Sequence, residues 1–373
     1  MSQAGTLNIR FGRDPAAGVQ LSIESTRPQG LSHLLQNRTI AEAHQVVSLL
    51  FSVCRRAQTV AASRVAEQLL GIVVPSELER CREHLLCLEL LHEHLWTLLV
   101  QLPTELGLPA HTEIMAEASQ RLRCAMSTMD RRGVLSGIYL ASGDGSEQRP
   151  EAVDLAGWAT QMSVRLFGED SRKPAMAGIL REVTAARDWR SDYRLLGVHR
   201  LDREELVNRL MGAPVFGHQP QWPQQPRETG AVVRQATHQQ VSQALQQGWC
   251  LQPRLLAILL EVQRLLKWLS GESGVEFSLT QGGIEPSSSR FALAQLETAR
   301  GGLIHVVQLT PDRARIQRYW IIAPTDWNFH PQGVLHTMAE SLQETEEAEA
   351  RQRLSLLVTM MNPCVGWEVQ GYA

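Results

Sequence analysis

Lysine is almost missing from this 373-residue chain: Lys173 and Lys267 are the only two among 36 basic residues. The rest are arginines, a bias that genome base composition produces, although guanidinium groups also suit pockets that hold anions. With 39 acidic residues the formal net charge is −3, so no global field draws the chain to nucleic acid or to an anionic membrane. The N-terminal stretch lacks both the charged-then-apolar pattern of a signal peptide and a twin-arginine signal. No apolar run reads as long enough to span a bilayer. Six cysteines, Cys54, Cys81, Cys87, Cys124, Cys250 and Cys364, are too scattered for a disulfide framework. Internal repeats and linkers are missing too. These absences predict a reduced, cytoplasmic protein with no membrane or nucleic-acid partner, folded as one domain over 1–373.

What is present is helical periodicity. Hydrophobic residues make up 43% and charged residues 20%, ordinary values for a folded chain with a large core. Ala41 to Leu50, Thr59 to Leu70, Leu78 to Leu99, Thr112 to Met129 and Pro253 to Leu269 carry apolar residues at three- and four-residue intervals. Asp202-Arg203-Glu204-Glu205 opens a short helix with an acidic first turn, and Glu340 to Met360 reads as a final helix. Leu7 to Phe11 and Val19 to Ser25 alternate around Gly12-Arg13-Asp14-Pro15, a hairpin pattern repeated by Leu303 to Leu309 and Arg315 to Ile322. Val153 to Leu166 and Met176 to Ala186 are weaker, polar segments. A turn falls at Gly143-Asp144-Gly145 and a loop at Phe216 to Arg227. The fold class is mainly α with small β hairpins and sheets (α+β).

Chemistry concentrates in four stretches. Cys54 lies in Phe51-Ser52-Val53-Cys54-Arg55-Arg56-Ala57-Gln58, at the start of a helix whose peptide dipoles favour thiolate, the metal-binding form. Glu297-Thr298-Ala299-Arg300-Gly301-Gly302-Leu303-Ile304-His305 places an arginine in an apolar setting. Tyr319 to Ile322 runs into Ala323-Pro324-Thr325-Asp326-Trp327-Asn328. Met361-Asn362-Pro363-Cys364-Val365-Gly366-Trp367-Glu368-Val369-Gln370 carries the second cysteine of interest.

In this order the four stretches resemble the motifs of nickel-iron hydrogenase large subunits. The last is similar to D-P-C-x-x-C-x-x-H, with Asn362, Trp367 and Gln370 replacing the aspartate, second cysteine and histidine. The first resembles R-x-C-G-x-C-x-x-x-H, with Phe51 for the first cysteine and Gln58 for the histidine. The middle two resemble E-x-P-R-G-x-L-x-H, with Ala299 for the proline, and Y-x-x-x-x-P-[ST]-T-W-N. Arg227-Glu228-Thr229-Gly230 with Arg234, and Leu34-Leu35-Gln36-Asn37-Arg38, extend the likeness over the whole chain.

The resemblance implies a large-subunit-like helical core and a site for iron carrying cyanide and carbon monoxide. Arg300 and Thr325 stand where the family donates hydrogen bonds to cyanide, an anionic acceptor that needs donors when buried. Carbon monoxide wants an apolar wall, which Ala323, Pro324 and Val365 can form. Cys54 is the expected iron ligand and Cys364 a second ligand or transfer group. Two thiolates are too few for nickel, which prefers a soft, thiolate-rich site. A proton-relaying glutamate of the family falls near Ser32, where there is no carboxylate. The chain also stops at Ala373, without the extension that enzyme precursors carry.

The pattern resembles hydrogenase formation proteins of the HupK/HoxV type, shortened relatives of the large subunit. That likeness implies a scaffold with no catalysis of its own. It would receive Fe(CN)2(CO), without nickel, from maturation chaperones of the HypC/HypD type and pass it to the precursor large subunit. A metal-free mimic of the large subunit and a divergent hydrogenase or hydrogen sensor remain open alternatives.

Other constellations read as structure. Cys81, His84 and Cys87 step by three and drift around a helix, so they pack and do not converge. Trp320, Trp327 and Trp367 are core fillers, and Glu344-Thr345-Glu346-Glu347 is a solvated helix face.

Overall fold

The computed structural model describes residues 5–14, 18–26, 33–51, 54–131, 135–139, 153–168, 175–198, 201–275, 277–281 and 290–371. The expected turn at Gly143-Asp144-Gly145, Ser32 and Ala373 lie outside them.

The first hairpin forms as expected, with β1 (Thr6–Asp14) and β2 (Gly18–Ser25) antiparallel. A strand that the periodicity does not announce, β7 (Gly366–Gly371), then adds to the other edge of β1 in parallel, giving the order β2-β1-β7. A second, antiparallel sheet runs β3 (Thr280–Gln281), β4 (Phe291–Thr298), β5 (Gly301–Leu309) and β6 (Ile316–Ile322). β4 was hidden because nearly every residue in it is buried, which erases the apolar–polar alternation of a half-solvated strand.

Helix α1 (Ile40–Leu50) starts at a capping box: Thr39 Oγ1 accepts the Glu42 N–H while Glu42 accepts the Thr39 N–H at 2.8 Å. Helix α2 (Arg55–Leu70) lies on β4 and β5 with every residue from Ala57 to Leu69 buried. A helix buried on all sides must satisfy its polar groups internally. Gln68 does so by donating to Leu293 O at 2.9 Å and accepting the Leu293 N–H, which clips it to β4. Glu67 takes a two-pronged bond from Arg82 of α3 (Ser76–Trp96), at 2.7 and 2.8 Å. Beyond α3 the chain makes one wide turn, Thr97–Gln101, before Leu102–Glu105. Pro103, which has no N–H to donate, sits just after it.

The stretch Ser76–Glu105 is long and apolar enough to cross a membrane by composition, contrary to the sequence reading. It is instead a core helix, with 72% of its most apolar window buried. The weaker segments after residue 153 are also helical. Ala156–Phe167 and Ala175–Glu182 bury Trp158, Ala159, Met162, Leu166, Met176 and Ile179 on one face. The expected final helix, Glu340 to Met360, starts later, as Glu347–Met361; Glu340 instead ends a separate helix, Val334–Glu340. Between them Glu344 and Glu346 are exposed, and Glu346 caps the second piece by accepting the Glu349 N–H. That run is therefore a helix start, not a helix face.

Alternate residues of the larger sheet serve two cores. Leu303, Val307, Ile316 and Tyr319 join the main core with α2, whereas Ile304, Val306 and Ile322 pack with Trp327, Leu206 and Phe216. Trp320 borders the smaller core and Trp367 the larger, so the three tryptophans do fill space. Cys87 is buried, and His84 stacks edge-on against Trp268 at 4.5 Å, also as packing.

Candidate metal-binding site

Cys54 caps α2 at its N-terminus, half-buried. The free N–H groups of that first turn are taken by a carboxylate: Glu89 of α3 accepts from Arg56 N at 3.0 Å and Ala57 N at 2.9 Å. The expectation that the helix start favours thiolate is thereby overturned. Burial pushes the Cys54 thiol up to about 12, Cys364 adds to the rise, Arg300 opposes it, Glu89 reinforces it, and a bond from Gln58 opposes it. A metal ion arriving here must displace a tightly held proton.

Arg300 is presented by the tight turn between β4 and β5, where Thr298 pairs with Gly301. Gly301 has φ +124°, and a Cβ there would stand 2.4 Å from Thr229 Cγ2. Only glycine permits this approach, and it lets Thr229 Oγ1 accept the Gly302 N–H at 2.8 Å. Asn328 completes the brace, accepting the Thr229 N–H at 2.9 Å and donating to Arg300 O at 3.1 Å. The buried guanidinium donates through Nη2 to Glu93 Oε2 at 2.6 Å. Burial works against its charge, but Glu93 and the sulfurs of Cys54 and Cys364 outweigh it and raise its pKa. Burial also opposes ionisation of Glu93, and there His92 and Arg300 prevail and lower the pKa. Arg300 Nε is buried and has no hydrogen-bond partner.

Thr325 lies in the short helix Pro324–Asn328, whose first turn is fixed when Asp326 accepts the Ala323 N–H at 2.7 Å. Its hydroxyl is 3.3 Å from Cys364 Sγ and accepts the Cys364 N–H at 3.4 Å. Cys364 follows Asn362, the left-handed residue (φ 49°) that ends the helix Glu347–Met361, and precedes β7. Ala323 and Pro324 are buried beside Thr325.

The fold therefore gathers Cys54, Cys364, Arg300 and Thr325 from four separate stretches of sequence. Where the family's other ligands would stand, Phe51 and Trp367 are half-buried against the core and Gln370 is exposed. Among the described residues no group of three or more histidines, cysteines or carboxylates is placed to hold a metal ion. Metal chemistry here must rest on two thiols, with a buried cationic donor beside them.

Sequence reasoning missed Glu89 and Glu93. Their signal was two carboxylates four residues apart on one face of a leucine-rich helix. It also missed the buried cluster in which Arg234 bonds Glu261 at 2.6 and 2.7 Å and Glu297 at 2.6 Å. His94 joins that cluster by bonding Glu261 at 2.7 Å.

No family model matches the chain. It is 31% identical to the hydrogenase expression/formation protein HupV of Azotobacter chroococcum mcd 1, over 91% of this chain and 90% of that one. The chain belongs to the hydrogenase expression/formation proteins. A second member, HupK of Rhizobium leguminosarum bv. viciae, is 28% identical over 98% of this chain and 96% of its own length. HoxV of Cupriavidus necator is 29% identical over 98% and 95%. Solved structures show that this expression/formation protein has the fold of NiFe-hydrogenase large subunits. A [NiFeSe] hydrogenase variant from Desulfovibrio vulgaris Hildenborough superposes with a TM-score of 0.58 at 13% identity, covering 97% of this chain and 99% of that one. An NAD+-reducing [NiFe]-hydrogenase gives 0.55 at 15% identity, covering 94% and 93%.

Proposed function

We propose that this protein is a non-catalytic scaffold of NiFe-hydrogenase maturation that holds iron bearing cyanide and carbon monoxide as cargo. Cys54 is the principal ligand and Cys364 the second. The observation that carries this reading is the buried, unpartnered Arg300 Nε beside two thiols. A bare ion needs more ligands than two cysteines provide, whereas an iron already coordinated by diatomic ligands does not. Its cyanide nitrogen is the acceptor that Arg300 Nε lacks. Ala323 and Pro324 supply apolar surface for the carbonyl. Nickel, with at most two thiolates on offer, has no adequate site. Chaperones of the HypC/HypD type would load the cargo, and the precursor large subunit would receive it, in the cytoplasm.

One observation favours a second reading, a metal-free mimic that binds the maturation machinery: the Cys54 thiol is held towards its protonated form. Infrared spectroscopy of anaerobically purified protein, with iron and nickel quantified in the same sample, separates the two. Carbonyl and cyanide bands with iron and no nickel, weakened by Cys54→Ser, are expected of the scaffold. A band-free protein, with maturation in the host unaffected by Cys54→Ser and Cys364→Ser, would overturn it. Hydrogen-dependent dye reduction with bound nickel would overturn both.

A further inference from the structure

Behind Cys54 runs a line of buried polar groups that the cargo reading does not use. Gln58, one turn along α2, directs Nε2 at Cys54 Sγ, 3.7 Å away. Its Oε1 lies 2.8 Å from Nε2 of His305 on β5, and His305 Nδ1 lies 2.9 Å from the hydroxyl of Tyr319 on β6. Gln58, His305 and Tyr319 are all buried. Burial drives the His305 pKa down to about 3 and raises that of Tyr319, so the imidazole carries one proton and the phenol keeps its own.

With one proton on the imidazole, donors and acceptors along this line must alternate. A sulfur bound to metal has no proton and can only accept. It then requires an N–H of Gln58, which turns Gln58 Oε1 towards His305. That oxygen requires the proton on His305 Nε2, leaving Nδ1 to accept from the Tyr319 O–H. Each choice forces the next.

We propose that Gln58, His305 and Tyr319 form a directional hydrogen-bond chain that positions an amide N–H on the Cys54 sulfur. Gln58 is the positioning residue, and the two sheet residues lock its amide orientation. A donor facing the sulfur offsets negative charge there, adding to the Arg300 guanidinium, which acts on Cys54 in the same sense. The geometry also predicts the converse: an acceptor in place of the amide N–H disfavours any proton-free sulfur. In calling Cys54 a ligand this rests on the scaffold reading, but the chain itself can be tested on metal-free protein.

The test uses the full-length, metal-free protein under anaerobic conditions at a single pH. Iodoacetamide labelling of Cys54 is followed on its own peptide by mass spectrometry, so the other cysteines do not interfere. Gln58→Leu, which removes the donor, should slow labelling about tenfold, the worth of one hydrogen bond to an anionic acceptor. Gln58→Glu should slow it further, and Gln58→His, which restores an N–H, should bring most of the rate back. Nitrogen-15 spectra of histidine-labelled protein with cadmium bound as the probe should show His305 protonated on Nε2. Equal rates in Gln58→Leu and wild type, with both variants folded by circular dichroism, would overturn the proposal. So would His305 protonated on Nδ1 in the cadmium-bound protein. The expected ordering in a protein that never takes up iron in its host would uphold the chain and remove the scaffold reading.

Discussion

On one side of Cys364, Thr325 bonds the cysteine itself, and Arg300 and Asn328 are tied through Thr229, Glu93 and Gly302 into a largely buried lattice with two or more bonds to most members. On the other side, Trp367 and Gln370 ride on β7, an edge strand whose alternate residues are exposed and whose place is set by backbone pairing to β1. In the first region each side chain is fixed by a neighbour that is itself fixed. In the second the side chains can change while the strand stays where it is. A donor aimed at a buried anion needs the first kind of surroundings, because small displacements cost it its bond. The flank where Trp367 and Gln370 replace the motif's cysteine and histidine belongs to the second kind, where side-chain changes leave the backbone pairing in place.

Breaking the lattice at its cation should have the largest effect. Arg300→Met takes the arginine from the part-buried Glu93, leaving it only His92, and should cost about 3 kcal/mol, the low end for a broken buried pair, read from urea unfolding. A smaller loss would mean that Glu93 finds solvent or another cation. Next comes the turn that presents Arg300: Gly301→Ala places a methyl against Thr229 and forces an unfavourable φ, for about 1–3 kcal/mol in the same measurement. The third prediction is set by acid. His305 stays neutral in the folded protein down to about 3, while in the unfolded chain it takes up a proton from the ordinary value of 6.5. The unfolded state therefore binds more protons across that window, and stability falls as pH is lowered from 6.5 towards 3. One such group contributes a slope of about 1.4 kcal/mol per pH unit. His305→Gln, which cannot titrate, should lose that part of the slope, and an unchanged slope would show that other groups dominate. The smallest effect belongs to the β7 flank, where Gln370→Ala should stay within about 0.5 kcal/mol of wild type. A larger change would erase the distinction between the two sides.

What the sequence revealed and what it concealed follow the same division between local and distant. The helical period of α1 from Ala41 to Leu50, the start of α2 at Cys54 and the hairpin around Gly12 rest on neighbours within a few residues, and all were legible; the capping box at Thr39 and Glu42 was local too but went unread. Cys54, Cys364, Arg300 and Thr325 could be picked out because enough of each short motif survives around them, and the fold does bring them together. The bonds that make them a site are of another kind. Arg300 meets Glu93 across 207 residues of sequence, and His305 meets Gln58 across 247. No local pattern encodes either pairing. The protonation of Cys54 was misjudged for the same reason. The helix start was visible, but the burial and the Cys364 sulfur that raise the thiol come from distant segments, and the Glu89 carboxylate that adds to them comes from a different helix.

The parallel pairing of β1 with β7 bears on the timing of assembly. A ribosome delivers Thr6–Asp14 long before Gly366–Gly371, yet the two strands are neighbours. Cys364 sits just ahead of β7, so it can reach Thr325 only after the whole stretch between β1 and β7 has been made. Cys54 and Arg300 emerge earlier, with β4, β5 and α2 already able to pack. Under the scaffold reading proposed above, a nascent chain would hold its cargo by one sulfur, and the second would arrive as β7 docks, like a latch fitted after the door is hung.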